Sequence, residues 1–274
     1  MTAVRDVEHA ARMAKHSDTL EALARLGFIG FGVTHLVLAW IAVQIAFGRP
    51  PSEGDQVGAF AVLRQHPVGT VLLAIVAIGL TATALWQALE AAVGHGHEEY
   101  AAKVRERLFS GARAVGYGLF AFYAAMLVLH PAAPRAAADK QQAAGTLLGV
   151  PGGRWLVGAI GICVVAVGLG LAWYGLTRHF ERHLKTGLMT ESGRHALSVL
   201  GATGYTAKAV AYTIAGVLVV IAAVRYDPSE SRGLDAALRT LSEHGWGHGV
   251  LLLIATGIAA FGLFAIAQAR YRDV

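Results

Sequence analysis

Six stretches of the chain are almost continuously apolar, and the polar residues collect between them. Residues 26–47, 68–89, 155–177 and 246–267 contain no Asp, Glu, Lys or Arg. Each exceeds the roughly 18 residues at which an apolar stretch reads as a membrane span. Residues 114–129 and 209–224 are shorter, but each extends backwards past one basic residue, Arg113 or Lys208. The long stem of such a residue tolerates an apolar setting, so both stretches reach spanning length. None of the six keeps the polar stripe that a water-soluble helix needs, which excludes a large soluble bundle. The pattern predicts an all-α, polytopic membrane protein with six transmembrane helices.

The pattern also repeats. HPVGTVLLAIVAIGLTATALWQALEA, from His66, lies without a gap over HGWGHGVLLLIATGIAAFGLFAIAQA, from His244. This superposes Gly69 on Gly247, Gly79 on Gly257 and Trp86 on Phe264, and just upstream Leu63 on Leu241. The middle third aligns Pro151-Gly152-Gly153 with Pro67-Val68-Gly69 but needs a gap later in its helix. The first helices of the units align through ARAVGYGLFA, from Ala112, and AKAVAYTIAG, from Ala207. Arg113 then meets Lys208 and Tyr117 meets Tyr212, with Phe31 and His35 at those places in the first unit. The chain divides into an N-terminal segment, 1–24, and three two-helix repeats, 25–93, 108–178 and 196–274, joined by linkers 94–107 and 179–195. Three like pairs suggest six helices around a pseudo-threefold axis. Within each unit a short segment precedes the returning helix. Leu234, Leu238 and Leu241 fall at helical spacing, predicting a short amphipathic helix on the membrane face; 59–65 is its counterpart, and 146–153 fills the place less helically.

The GFGVTHLVLA, ARAVGYGLFA and AKAVAYTIAG helix starts, with HPVG, VPGG and GWGH before the returning helices, resemble a bacterial membrane family catalogued as domain of unknown function 1206. That family is defined by three tandem transmembrane helix pairs. The resemblance runs from about Leu26 to Tyr271 and implies the topology and a plasma-membrane location. It implies no activity.

Composition agrees. Charged residues make up 15% of the chain and the mean hydropathy is +0.51, against about a quarter charged in a soluble domain. With both termini placed in the cytoplasm, fifteen Lys and Arg fall on that side and eight on the other, as the positive-inside rule requires. The excess of base, net +5, then faces anionic lipid rather than nucleic acid. Residues 1–24 lack the layout of a cleavable signal peptide. The one cysteine, Cys163, falls within the fourth span and reads as a small apolar filler. The small residues at 27–30 and 158–161 suit close helix crossings.

Charged groups inside spans are costly in lipid and are therefore the first candidates for function. Arg113 and Lys208 each precede a tyrosine by one helical turn, so base and phenol share a face. One reading is an anion-attracting cluster lining a central cavity, made of Arg113, Lys208, Tyr117, Tyr212 and His35. The other has both bases snorkelling to lipid phosphates, or pairing with Glu90 at the end of the second helix. Histidines suggest a weaker possibility. His95 and His97 follow the second span, and His179 and His183 lie four apart after the fourth, the spacing a metal site on a helix needs. No further ligand spacing links them, and a pH-sensitive loop accounts for them equally. Neither a nucleophile elbow, a phosphate-binding loop nor a zinc-protease motif occurs, so neither an enzyme nor a cofactor is expected. The leading expectation is a non-catalytic accessory, scaffold or binding protein whose partners are membrane lipids or another membrane protein. The alternative is a small-solute or ion transporter or channel using the Arg113–Lys208 cavity. Few polar residues line the spans, which argues against an open aqueous pore.

Overall fold

The computed structural model describes residues 18–48, 55–65, 67–93, 100–130, 136–227, 238–239 and 241–271. In chain order its helices are α1 (Asp18–Ala46), α2 (Gln56–Arg64), α3 (Pro67–Val93), α4 (Tyr100–Leu129), α5 (Ala136–Leu148), α6 (Gly153–Leu176), α7 (Glu191–Arg225) and α8 (Gly247–Tyr271). All but the short α2 and α5 are long and apolar enough to cross a membrane. The chain is therefore a multi-pass membrane protein with six candidate spans.

Small residues set how the spans cross. Gly27 of α1 lies against the backbone of Gly79 on α3, and Gly32 against the Gly262 carbonyl on α8. Gly161, Gly168 and Gly175 follow one another at seven residues along α6 and meet Gly216, Thr213 and Tyr205 of α7. Acyl chains are as apolar as leucine, so helices in lipid are held by such close backbone approach rather than by apolar burial. The small residues expected to form packing faces at 27–30 and 158–161 do so, on α3 and α7 respectively.

The spans follow one another around a ring, with one interface missing. α1 packs on α3 and on α8, α3 on α4, α6 on α7, and α7 on α8. A ring of three helix pairs needs one more contact, between α4 and α6, the two helices of the middle unit. No packed face joins them among the described residues. Only 17% of the α4 and α6 spans is buried, against 39–56% for the other four. The Cys163 side of α6 is accordingly exposed. The ring is open at its second unit.

A connecting segment packs against the spans at each end of the bundle. At the end where α1 finishes, α2 does not lie flat on the membrane face as its amphipathic pattern suggested. Asp55 caps it by accepting from the Gly58 backbone N–H at 2.9 Å, and Val57, Gly58, Ala59, Phe60 and Leu63 are buried among α1, α3 and α4. Leu238 is likewise buried, in a core with Leu38, Ile41 and Leu251; Leu234 lies outside the described residues. The segment before α6 is more helical than expected, since α5 runs to Leu148, which packs on Val157 and Ala223. At the opposite end, the 3-10 turn His179–His183 inserts Phe180, fully buried, against Tyr205, Phe264 and Gly201. That loop is tied down where the Lys185 N–H donates to the Tyr271 carbonyl at 2.7 Å.

One turn recurs in every unit. Gly69, Gly153 and Gly247 each sit where a Cβ would strike the carbonyl of a leucine six residues earlier: Leu63, Leu147 and Leu241. In the second unit the Val150 N–H bonds Leu147 and the Gly153 N–H bonds Val150; in the third, His244 and Gly247 do the same from Leu241. Two consecutive tight turns thus carry the chain from outer segment to returning span, and only glycine fits the second one. The three aligned glycines are the imprint of this geometry on the sequence.

Candidate functional site

Antiparallel pairing fixes the depth of the central residues. Gly204 of α7 meets Phe261 of α8, and Ala207 meets Gly257. Lys208 therefore stands opposite the middle of α8, and His35 falls at the middle of the Arg25–Ala46 span. At 1.5 Å per residue, His35 lies about 15 Å and Lys208 about 25 Å from either end of their spans.

The Lys208 side chain does not run to a helix end. It is half-buried, with Nζ 3.9 Å from the Phe261 ring centroid, 5.2 Å from that of Phe31 and 6.0 Å from that of Tyr212. Among the described residues its ammonium makes neither an ion pair nor a hydrogen bond. The quadrupoles of the two phenylalanine rings offset part of the cost of that charge. Snorkelling is thus not how Lys208 is accommodated: its cation sits among the rings of Phe31, Tyr212 and Phe261, with no ion pair among the described residues.

His35 shares the same two rings. It is buried, with its centroid 4.3 Å from Phe31 and 4.8 Å from Phe261. Its Nδ1 lies 2.8 Å from the Phe31 carbonyl. A carbonyl only accepts, so Nδ1 carries the hydrogen and Nε2 presents a lone pair. Nε2 is buried and has no hydrogen-bond partner among the described residues.

The tyrosines complete the centre. Tyr117 of α4 packs edge-on to Phe31 at 5.8 Å. Tyr212 lies near Tyr117, and its hydroxyl is hydrogen-bonded to the side chain of Gln56, at the start of α2. The first helices of the three units thus bring Phe31 and His35, Tyr117, and Lys208 and Tyr212 together, which are the positions the repeat alignment made equivalent.

Arg113 is the exception. It shares the axial face of α4 with Tyr117, one turn away, yet its side chain is exposed and donates to the Ser110 hydroxyl at 3.3 Å. The difference from Lys208 is the missing interface: α8 closes over Lys208, and α6 does not close over Arg113. Arg113 stands at the opening. Glu90 is half-buried at the level of Gly111, whose neighbour across the interface is Ala91. Of the other polar residues of the spans, the Thr81 and Thr83 hydroxyls donate to carbonyls one turn back in their own helix, Ala77 and Gly79, while the buried Oε1 atoms of Gln44 and Gln87 have no partner among the described residues.

The histidine pairs play no visible joint role. His95 and His97 lie outside the described residues. His179 packs on Tyr174 at 5.7 Å, and nothing is described of the His183 side chain. No group of three or more candidate metal ligands occurs among the described residues. Between those histidines the sequence reading passed over Phe180, an aromatic flanked by His, Glu and Arg whose only apolar shelter is the bundle end. It also passed over Phe261 and Gln56. Neither carries a signal in the linear sequence, since Phe261 is one apolar residue among many and Gln56 reaches the axis only because α2 folds inward. A separate groove of about 470 Å³ lies on the outer face of α3 and α4, lined by Thr81, Leu85, Ala114, Val115, Gly118 and Phe122; neither Lys208 nor His35 lines it.

The geometry repeats three times along the chain, and so does the family match. The domain of unknown function DUF1206 matches residues 26–94, 110–178 and 203–272. The chain belongs to the DUF1206 family. These matches place a helix pair in each repeat, with the Leu-to-Gly turn inside each. An uncharacterised protein of Bacillus subtilis strain 168, YxxB, is 26% identical over 258 residues, covering 93% of this chain and 92% of that one. The relative is thus built on the same plan along nearly its whole length. No solved structure matches the chain significantly.

Proposed function

We propose that the protein is a non-catalytic binding protein of the cell membrane that takes up an amphiphile with an anionic head. The molecule would pass sideways between α4 and α6 and set its head against Lys208. The observation that carries this reading is the Lys208 ammonium at mid-span, with no ion pair among the described residues, in a ring that is open at one side. A charge at that depth is costly unless something neutralises it. A head drawn in sideways from the bilayer supplies that anion. Arg113, exposed at the opening, supports the reading as a first electrostatic contact for such a head. An axial conduit is the weaker reading, because few polar side chains line the spans and α2 packs inward between α1, α3 and α4. We place both termini in the cytoplasm on the excess of basic residues on that side; a C-terminal reporter active only outside the cytoplasm would overturn that placement.

The test is native mass spectrometry of the protein released from its membrane. The wild type is expected to retain one anionic lipid, and Lys208→Met to retain none while keeping its zwitterionic lipids. Equal retention of the anionic lipid by both proteins would contradict the reading.

A further inference from the structure

Beside the Lys208 ammonium stands an acceptor with no donor. Among the described residues no donor reaches His35 Nε2. Its Nδ1 hydrogen is used on the Phe31 carbonyl. The Thr34 hydroxyl donates to Gly30 at 2.9 Å. Phe31 and Phe261, which flank the imidazole, have no donor, and Lys208 is not bonded to it. A buried, unmatched Nε2 is the kind of atom that native interiors seldom leave without a partner or a purpose.

From this juxtaposition we infer that the head bound at Lys208 is an anionic phospholipid head that also carries hydroxyl donors, a glycerol-type phosphodiester. The inference rests on the amphiphile-binding reading above and adds the chemistry of the head. Lys208 offers donors and positive charge and no acceptor. It pairs with a phosphate oxygen. His35 Nε2 offers a lone pair and pairs with a hydroxyl hydrogen of the same head. The two side chains share the rings of Phe31 and Phe261, with Nζ within 5.2 Å and the imidazole within 4.8 Å of both centroids, which puts both within reach of one small head. A carboxylate or a phosphodiester without hydroxyls satisfies Lys208 and leaves Nε2 bare. An ethanolamine head brings a donor but sets a second ammonium beside Lys208, which like-charge repulsion disfavours. Of the common head types, the hydroxyl-bearing anion alone matches both groups.

Two lipids with the same acyl chains and the same single negative charge separate these cases: phosphatidylglycerol, which has hydroxyls, and phosphatidylmethanol, which has none. Binding of each to the full-length protein is measured by native mass spectrometry in detergent, for wild type, His35→Phe, His35→Gln and Lys208→Met. Wild type is expected to favour phosphatidylglycerol by about fivefold to tenfold, the worth of one net hydrogen bond. His35→Phe brings phosphatidylglycerol down to the phosphatidylmethanol level without weakening the latter. His35→Gln, which keeps an acceptor, retains part of the preference and guards against a mere packing defect. Equal binding of both lipids by wild type, with binding still lost in Lys208→Met, overturns the head assignment and leaves the amphiphile reading standing, with water satisfying Nε2. Failure of either lipid to bind, or binding indifferent to Lys208→Met, overturns both.

Discussion

Gly247→Ala is expected to destabilise the bundle by about 3 kcal/mol or more, while Gly249→Ala, two residues on, is neutral or slightly stabilising. A methyl at 247 strikes the Leu241 carbonyl, which is backbone and is itself held by the His244 N–H. Relief would require moving the outer segment, where Leu238 is locked in the core with α1 and α8. Gly249 has nothing within 4 Å of where its Cβ would be, so alanine there adds only helix propensity, worth up to about 1 kcal/mol. The same contrast holds in the second unit between Gly153, against Leu147, and Gly170, which has open space. Reversible unfolding by a denaturing detergent, followed by circular dichroism, measures all four. Equal stability of the four variants would contradict the claim that a shared backbone turn joins each outer segment to its returning span.

The second large effect has the opposite sign. Lys208→Met is expected to stabilise the lipid-free protein by about 1 kcal/mol. A lysine at mid-membrane depth costs about 3 kcal/mol. Its contacts with the rings of Phe261 and Phe31 offset about 2 of these, and the substitution gives them up. Methionine fills nearly the same volume, so its loss of the cation–ring attraction opens no cavity. Most substitutions of enclosed residues destabilise, so a gain is diagnostic: it identifies a group kept at the expense of stability. The same unfolding titration reads it. A loss of 2 kcal/mol or more would mean that the ammonium has a structural partner and that Lys208 belongs to the scaffold.

How legible this was from the sequence differs by level. The spans followed from apolar length, because lipid leaves a spanning backbone few alternatives to helix. The repeat was legible through glycines, since Gly69, Gly153 and Gly247 answer one steric demand. The central cluster was legible in part: symmetry named His35, Tyr117, Lys208 and Tyr212. Symmetry also misled, by treating Arg113 as the equal of Lys208. Matching register gives matching depth, but the setting depends on whether the next helix closes, and in the middle unit it does not. The gap needed to align that unit was the one trace of this in the sequence. The inward docking of α2 was not legible, because an amphipathic pattern says that one face is apolar and not whether lipid or protein covers it. Phe180 was hidden for a related reason: its charged neighbours mark a loop, and only tertiary packing brings its ring into the core.

The most direct measurement is a high-resolution structure of the protein in a nanodisc containing phosphatidylglycerol. The account predicts head density on the ring axis, about 2.8 Å from Lys208 Nζ, with acyl density leaving between α4 and α6. A Lys208 paired with a carboxylate of the chain, on an axis packed with side chains and free of lipid density, would contradict it.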